Sequence, residues 1–261
     1  VLVAAIALGS ATFAWFVSNN TVKATTANIS AQSNAPFLKI AKSGETLTDT
    51  SATQTVAQGD LSKLYPSQWA NEVTSGTYQF ESAYASKAES ATMLAGSRFA
   101  VGGFDETTKI KNYALKQSFD IGTTDENAGS FKNLKVASIA ANTGSDENNT
   151  IKDALCVLIK CGDKWAVYKA DNNNGAVLTA YADGTTKVTN AAADGILADT
   201  IAANSKETVD LYIFYDGSQS GVNTNEIGKL GQAGVTVTFT ATPVNTDGGE
   251  VNVNNDANAS N

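Results

Sequence analysis

From Val1 to Val17 the chain carries no charged residue, and VLVAAIALG is followed without a break by TFAWFVS in SATFAWFVS. Beyond it the pattern changes to short runs in which β-branched and aromatic residues alternate with polar ones. PFLKIAK (36–42), RFAVGGF (98–104), NYALKQSFDIG (112–122), FKNLKVASIA (131–140), ALCVLIK (154–160), KWAVYKA (164–170), AVLTAYA (176–182), VDLYIFYD (209–216) and GVTVTFTAT (234–242) each read as a strand. A two-residue period and a length of four to ten residues are what a pleated, half-buried strand requires.

Between these runs stand CGDK (161–164), DNNNG (171–175), ADGTT (182–186), YDGS (215–218) and TDGGE (246–250). Gly, Asn and Asp tolerate the positive φ that tight turns need, so these segments read as turns. CGDK between two strand-like runs is the clearest hairpin. Helix is a minority expectation, placed on DLSKLYPSQWANEV (60–73) and SAYASKAESATML (82–94). NAAADGILADTIAAN (190–204) is Ala-rich but interrupted by Asp194 and Gly195, which suits a loop with one helical turn. The fold expected is mainly β, a β-sandwich or jelly-roll head from which an apolar N-terminal segment extends as a donor strand or short helix. Residues 1–33 read as an assembly segment and linker, 34–243 as a single β-sandwich domain, and 244–261 as a polar tail in which Val251 and Val253 still alternate.

Composition narrows the functional classes. Charged residues make up only 17% of the 261, against 42% hydrophobic, so Thr, Ser, Asn, Gln and Gly must supply most of the polar surface, as in β-rich extracellular proteins. The net charge of −8 repels a phosphate backbone, so nucleic acid is not an expected partner. The chain has no histidine, which removes a histidine-based triad and a histidine zinc site. No enzyme activity, metal or cofactor is expected. Cys156 and Cys161 are too few for a structural zinc site. Five positions apart on a strand they point to opposite faces, so a disulfide between them needs a bend, and buried thiols are the equal alternative.

Candidate chemistry is thin. DNNNG imitates the start of a calcium-binding loop but lacks the bidentate Glu, and a hairpin turn accounts for it. Asp183, Asp194 and Asp216, each before a Gly, read as turn residues in the same way. The pairs Asp105-Glu106, Asp125-Glu126 and Asp146-Glu147 are adjacent in loop-like contexts, whereas glycoside hydrolysis needs two carboxylates facing each other across a cleft. Trp69, Tyr78, Phe80, Tyr84, Trp165, Tyr168, Tyr212, Phe214 and Tyr215 could line a sugar-binding face, but strand alternation makes most of them core residues. The two glycines of RFAVGGF suit a bulge or a close strand contact.

The apolar start is the feature that bears most on function. As a helix, the 17 residues from Val1 to Val17 fall short of the ~20 that span a bilayer. ALGSATFAWF is similar to the end of a secretory signal, with the small residues Gly9 and Ala11 ahead of a cleavage point before Thr12. A fully apolar segment that stays on the protein has to be buried by lipid, by the protein's own core or by neighbouring copies. The residues expected to mediate such assembly are Val1, Leu2, Val3, Ile6, Leu8, Phe13, Trp15, Phe16 and Val17. TFAWFVS suits a strand and VLVAAIALG a helix equally well.

ATFAWFVSNNTVKATTANISAQSNAPFLKIAKS resembles the N-terminal region of the TasA and camelysin-like surface proteins of Gram-positive bacteria, which carry a signal of the type processed by the SipW peptidase. It looks closest to a clostridial branch. NYALKQSFDI, FKNLKVASIA, ALCVLIKCGDKWAVY, VDLYIFYDGS and GVTVTFTAT are similar in the same order. The resemblance implies a secreted, cell-surface β-sandwich that polymerises with itself into biofilm-matrix or pilus-like filaments through an N-terminal donor strand, meeting the membrane only during secretion. The alternative reading is a membrane-anchored surface adhesin or carbohydrate-binding module. Asn19, Asn28, Asn148 and Asn258 stand in N-x-S/T sequons.

Overall fold

The computed structural model describes residues 26–33, 38–49, 51–57, 64–83, 85–87, 90–93, 98–124, 129–142, 154–170, 176–183, 186–188, 195–217, 219, 222 and 234–244. The chain is mainly β, with antiparallel sheets in a sandwich arrangement. A seven-stranded sheet lies in the middle of it. This sheet runs β14 (Thr186–Val188), β13 (Ala176–Asp183), β12 (Lys164–Ala170), β11 (Leu155–Cys161), β16 (Lys206–Tyr215), β9 (Leu115–Gly122) and β2 (Lys39–Lys42), every neighbour antiparallel.

One face of this sheet packs on a five-stranded sheet in the order β15 (Ala198–Ile201), β10 (Ser130–Asn142), β17 (Gly234–Val244), β1 (Thr26–Ser33) and β3 (Ser51–Ala57). Between the two lies the larger core, where Phe119, Ile121, Val157, Ile159, Leu211, Ile213 and Tyr215 meet Phe131, Leu134, Ile139, Val235, Val237 and Phe239. Alternation places most of these on the inner row of their strands, and on β10 two register shifts against β17, between Lys132 and Lys135 and between Val136 and Ser138, keep Phe131, Leu134 and Ile139 on one side. On β17 the inner Val235, Val237, Phe239 and Ala241 are buried, while Thr236, Thr240 and Thr242 between them are half-buried.

The other face is covered as well, by a three-stranded sheet of β4 (Ser67–Ala70), β5 (Gln79–Ser82) and β8 (Ala100–Gly102). Trp69, Phe80 and Val101 from this sheet pack on Cys156, Leu158, Trp165, Val167, Tyr212 and Phe214. Because β11 is covered on both sides, six of the seven residues of LCVLIKC are buried. A strand buried on both faces reads as a continuous apolar run, and this one does.

Of the three-stranded sheet, β8 falls in RFAVGGF as expected of a strand, whereas β4 and the last residue of β5 fall in segments expected to be helical. DLSKLYPSQWANEV yields β4, and SAYASKAESATML yields the end of β5 and a hairpin of β6 (Ala85–Lys87) with β7 (Ser90–Met93). Local Ala, Ser and Lys content favours helix, but pairing of Trp69 with Phe80 across β4 and β5 and burial of both rings outweighs it. The described helix of four residues, α1 (Thr107–Ile110), follows β8. The Ala-rich 190–204 segment supplies β15, and its described residues, from Gly195 on, hold no helical turn.

The turn chemistry holds where it is described. Cys161 pairs with Lys164 around Gly162, whose φ of 55° is the left-handed conformation that glycine adopts without strain. Gly102 sits where the β5–β8 register shifts, as the paired glycines of RFAVGGF suggested. Residues 171–175 lie outside the described residues, although Ala170 and Ala176 on either side are paired.

Candidate functional site

The pairing of β1 with β17 is the one parallel ladder among the described strands. Ile29 lies opposite Val235, Ala31 opposite Val237 and Ser33 opposite Phe239 on β17, while Thr26 to Gln32 pair antiparallel with Ala57 to Ser51 on β3. The strand therefore fills a slot inside the five-stranded sheet and satisfies the backbone of both neighbours. β3 has β1 as its one strand partner among the described residues. β2, in the other sheet, begins at Lys39, soon after β1 ends at Ser33.

The N-terminal segment expected to extend from the head thus contributes its last eight residues to the sheet. TANISAQS offers only Ile29 as a strong apolar signal, so its place was not readable from periodicity. The expected assembly residues Val1, Leu2, Val3, Ile6, Leu8, Phe13, Trp15, Phe16 and Val17 lie outside the described residues, as does the tail after Val244.

Three buried or nearly buried acids are held by donors on neighbouring strands and loops, and one of them, Asp216, links two layers. Asp120 on β9 is 1% exposed, and it accepts from Lys206 Nζ at 2.5 Å, Thr208 Oγ1 at 2.7 Å and the Gly44 backbone N–H at 3.1 Å. Burial alone would raise its pKa, but these three donors outweigh it and hold the carboxyl below its ordinary value. Asp216 follows β16; its carboxylate accepts from Gln68 at 2.8 Å, pairs with Lys169 at 3.0 Å and accepts from Gln219 at 3.2 Å. It is more than the simple turn residue its place before Gly217 suggested, since it binds β4 to the seven-stranded sheet. Glu81 on β5 accepts from the Val73 backbone N–H at 2.8 Å and pairs with Arg98, the one arginine of the chain, at 2.7 Å. Each acid is engaged by such donors and acts as a tether.

The other sequence candidates resolve in the same direction. Glu106 accepts from the Gly103 backbone N–H at 3.1 Å and from Lys109, which lower its pKa and brace α1. Asp125, Glu126, Asp146, Glu147 and Asp194 lie outside the described residues. Trp69, Phe80, Trp165, Tyr168, Tyr212, Phe214 and Tyr215 are all buried, and Tyr78 is half-buried against Trp165 at 5.0 Å between ring centroids. These described rings line the two cores, and Tyr84 lies outside the described residues. Cys156 faces the aromatic core and Cys161 the larger one; both are buried free thiols, so the disulfide alternative gives way to the geometry of opposite faces.

No protein-family model, no curated protein and no solved structure matches the chain.

Proposed function

We propose that this protein is the structural subunit of an extracellular filament, polymerising through insertion of its N-terminal region into adjacent copies. The observation that supports this reading is the slot of β1, between β17 and β3 in the five-stranded sheet. Backbone pairing is indifferent to which copy supplies the strand, so an interior strand lying close to the chain's N-terminal side can be exchanged at little cost in contacts. Residues 34–38 are its one link to the remainder of the fold on the C-terminal side. The uncharged run from Val1 to Val17 precedes β1 by only eight residues, so a β1 received from another copy brings that run with it. Apolar surface delivered in this way is covered at the joint between copies, where it adds hydrophobic stabilisation.

The test is removal of Val1 to Phe16. The truncated chain should still fold, and negative-stain images should lose the fibres formed by the full chain. Unchanged fibres from the truncated protein would eliminate the inserted-segment mechanism.

A further inference from the structure

The ends of the sheets differ in how they meet a neighbouring strand. At one end of the seven-stranded sheet β14 is only three residues long. At the other end the chain folds back on β2, where the Ile40 N–H donates to the Asp49 carbonyl at 2.8 Å. The five-stranded sheet ends on one side in β15, which carries an exposed Asp199 bonded to Lys164 Nζ at 2.8 Å. Short length, a returning chain and a charge are the usual devices that stop one sheet edge from pairing with another.

β3, the remaining end, shows none of them among the described residues. It is seven residues long, SATQTVA, and the chain from Thr50 to Gly59 contains neither a charge nor a proline. Its one described strand partner is β1, so its second edge is unpaired among the described residues. It lies beside β2, whose own edge is bridged at Ile40 by Asp49, so among the described residues the open edge on this side of the sandwich is that of the five-stranded sheet.

We infer that β3 is a docking edge for a second copy of this chain, pairing antiparallel with the β3 of that copy about a local two-fold axis and joining two five-stranded sheets into one. The occupant follows from charge. With a net charge of −8 two copies repel each other, and they come together best where both surfaces are uncharged; a β3 against a β3 places no like charges opposite one another. In the register that pairs all seven residues, Ser51 lies opposite Ala57 of the second copy, Thr53 opposite Thr55, and Gln54 opposite Gln54. The contact is isologous and closes at two copies. It does not depend on exchange of β1, and it holds whether or not the N-terminal region builds a filament.

Cysteine cross-linking reads the register directly, because Cys156 and Cys161 are buried and contribute no background. Ser51→Cys and Ala57→Cys full-length chains, mixed and mildly oxidised, should give a covalent dimer. Either variant alone should not, since its two cysteines lie some six residues apart along the paired strands, about 20 Å and far beyond disulfide reach. A mixture that cross-links no better than the single variants overturns the proposal.

Charge gives a second, independent readout. Thr53→Lys with Thr55→Lys puts ammonium groups opposite each other twice, whereas Thr53→Lys with Thr55→Glu puts opposite charges there. By sedimentation at low salt the first should weaken the dimer about tenfold and the second should preserve it. If both double variants fold, by circular dichroism, and self-associate alike, β3 is not the contact. Loss of fibres on truncation with the cross-link intact would leave this edge in place, and the reverse result would remove it alone.

Discussion

The ring of Trp69 meets that of Trp165 edge-on, with 5.6 Å between centroids and an interplanar angle of 77°. This contact joins the three-stranded sheet to the outer face of β12, and Phe80 and Phe104 extend it at 5.1 Å and 4.4 Å from Trp69. Edge-to-face pairs of buried rings add specific geometry to a large buried area. Trp69→Ala should therefore destabilise the protein by about 3–5 kcal/mol, measured by urea unfolding, and should reduce the near-ultraviolet dichroism of Trp165. Trp69→Phe should lose less than half as much. A cost for the alanine variant below about 1 kcal/mol would mean that the third layer contributes little.

Asp120 predicts an acid limb in the stability profile. Its folded pKa lies below the ordinary carboxyl value, so its contribution is fully present above that ordinary value, near pH 4, and is lost as pH falls through the folded pKa. Asp120→Asn should cost about 2 kcal/mol at pH 7 and flatten the fall in stability below about pH 4, because Lys206, Thr208 and the Gly44 amide lose an ionised acceptor. Urea midpoints at pH 7 and pH 3 for both proteins check this. An unchanged difference between the two pH values would assign the acid limb to other carboxylates.

The two cysteines should be chemically silent. Burial, with a smaller contribution from the charge of Glu207, pushes the Cys161 thiol up to about 12, and burial raises Cys156 further. The thiolate is the reactive form, so a water-soluble alkylating reagent at pH 8 should label neither cysteine in the native protein and both in denaturant. Rapid native labelling of Cys161, read by mass spectrometry, would contradict its place in the core.

Gly217 is required by packing. A Cβ built there would lie 1.7 Å from the carbonyl oxygen of Ala83, where β4 and the end of β16 are bridged through Ser67 and Asp216. Gly217→Ala should cost more than about 2 kcal/mol and should loosen Gln68 from Asp216. Gly162→Ala tests a different cost, the left-handed φ of an open turn, and should lose only about 1 kcal/mol. Equal thermal shifts in the two variants would refute the packing argument.

How far the sequence could be read depended on where burial was decided. β9 to β13, β16 and β17 were legible because each strand carries its own apolar rows or, as in LCVLIKC, a continuous apolar run. β4 was read as helix and β5 was not read as a strand, because SQWA and QFES each hold one large apolar residue, and both become strands through tertiary contact. All four residues of QFES are buried because Phe80 faces the aromatic core while Gln79 bonds Thr74 and Glu81 bonds Val73 in the loop before it. β1 was hidden for the opposite reason: a polar strand is held by backbone pairing on both sides, which leaves little trace in hydropathy. Of the site, the opposed faces of Cys156 and Cys161 could be read from spacing alone, whereas the tethering role of Asp216 required partners 148 and 47 positions away in Gln68 and Lys169.

The parallel pairing of β1 with β17 also fixes how the molecule bears tension. Force applied ahead of Thr26 and beyond Val244 pulls on opposite ends of two neighbouring strands that run the same way. The load then acts along the strands, and the ladder from Ile29–Val235 to Ser33–Phe239 is sheared as a unit, whereas in a hairpin the bonds would peel apart one after another. A fold pulled in this direction resists extension by many bonds at once, a useful property in any chain held at both ends.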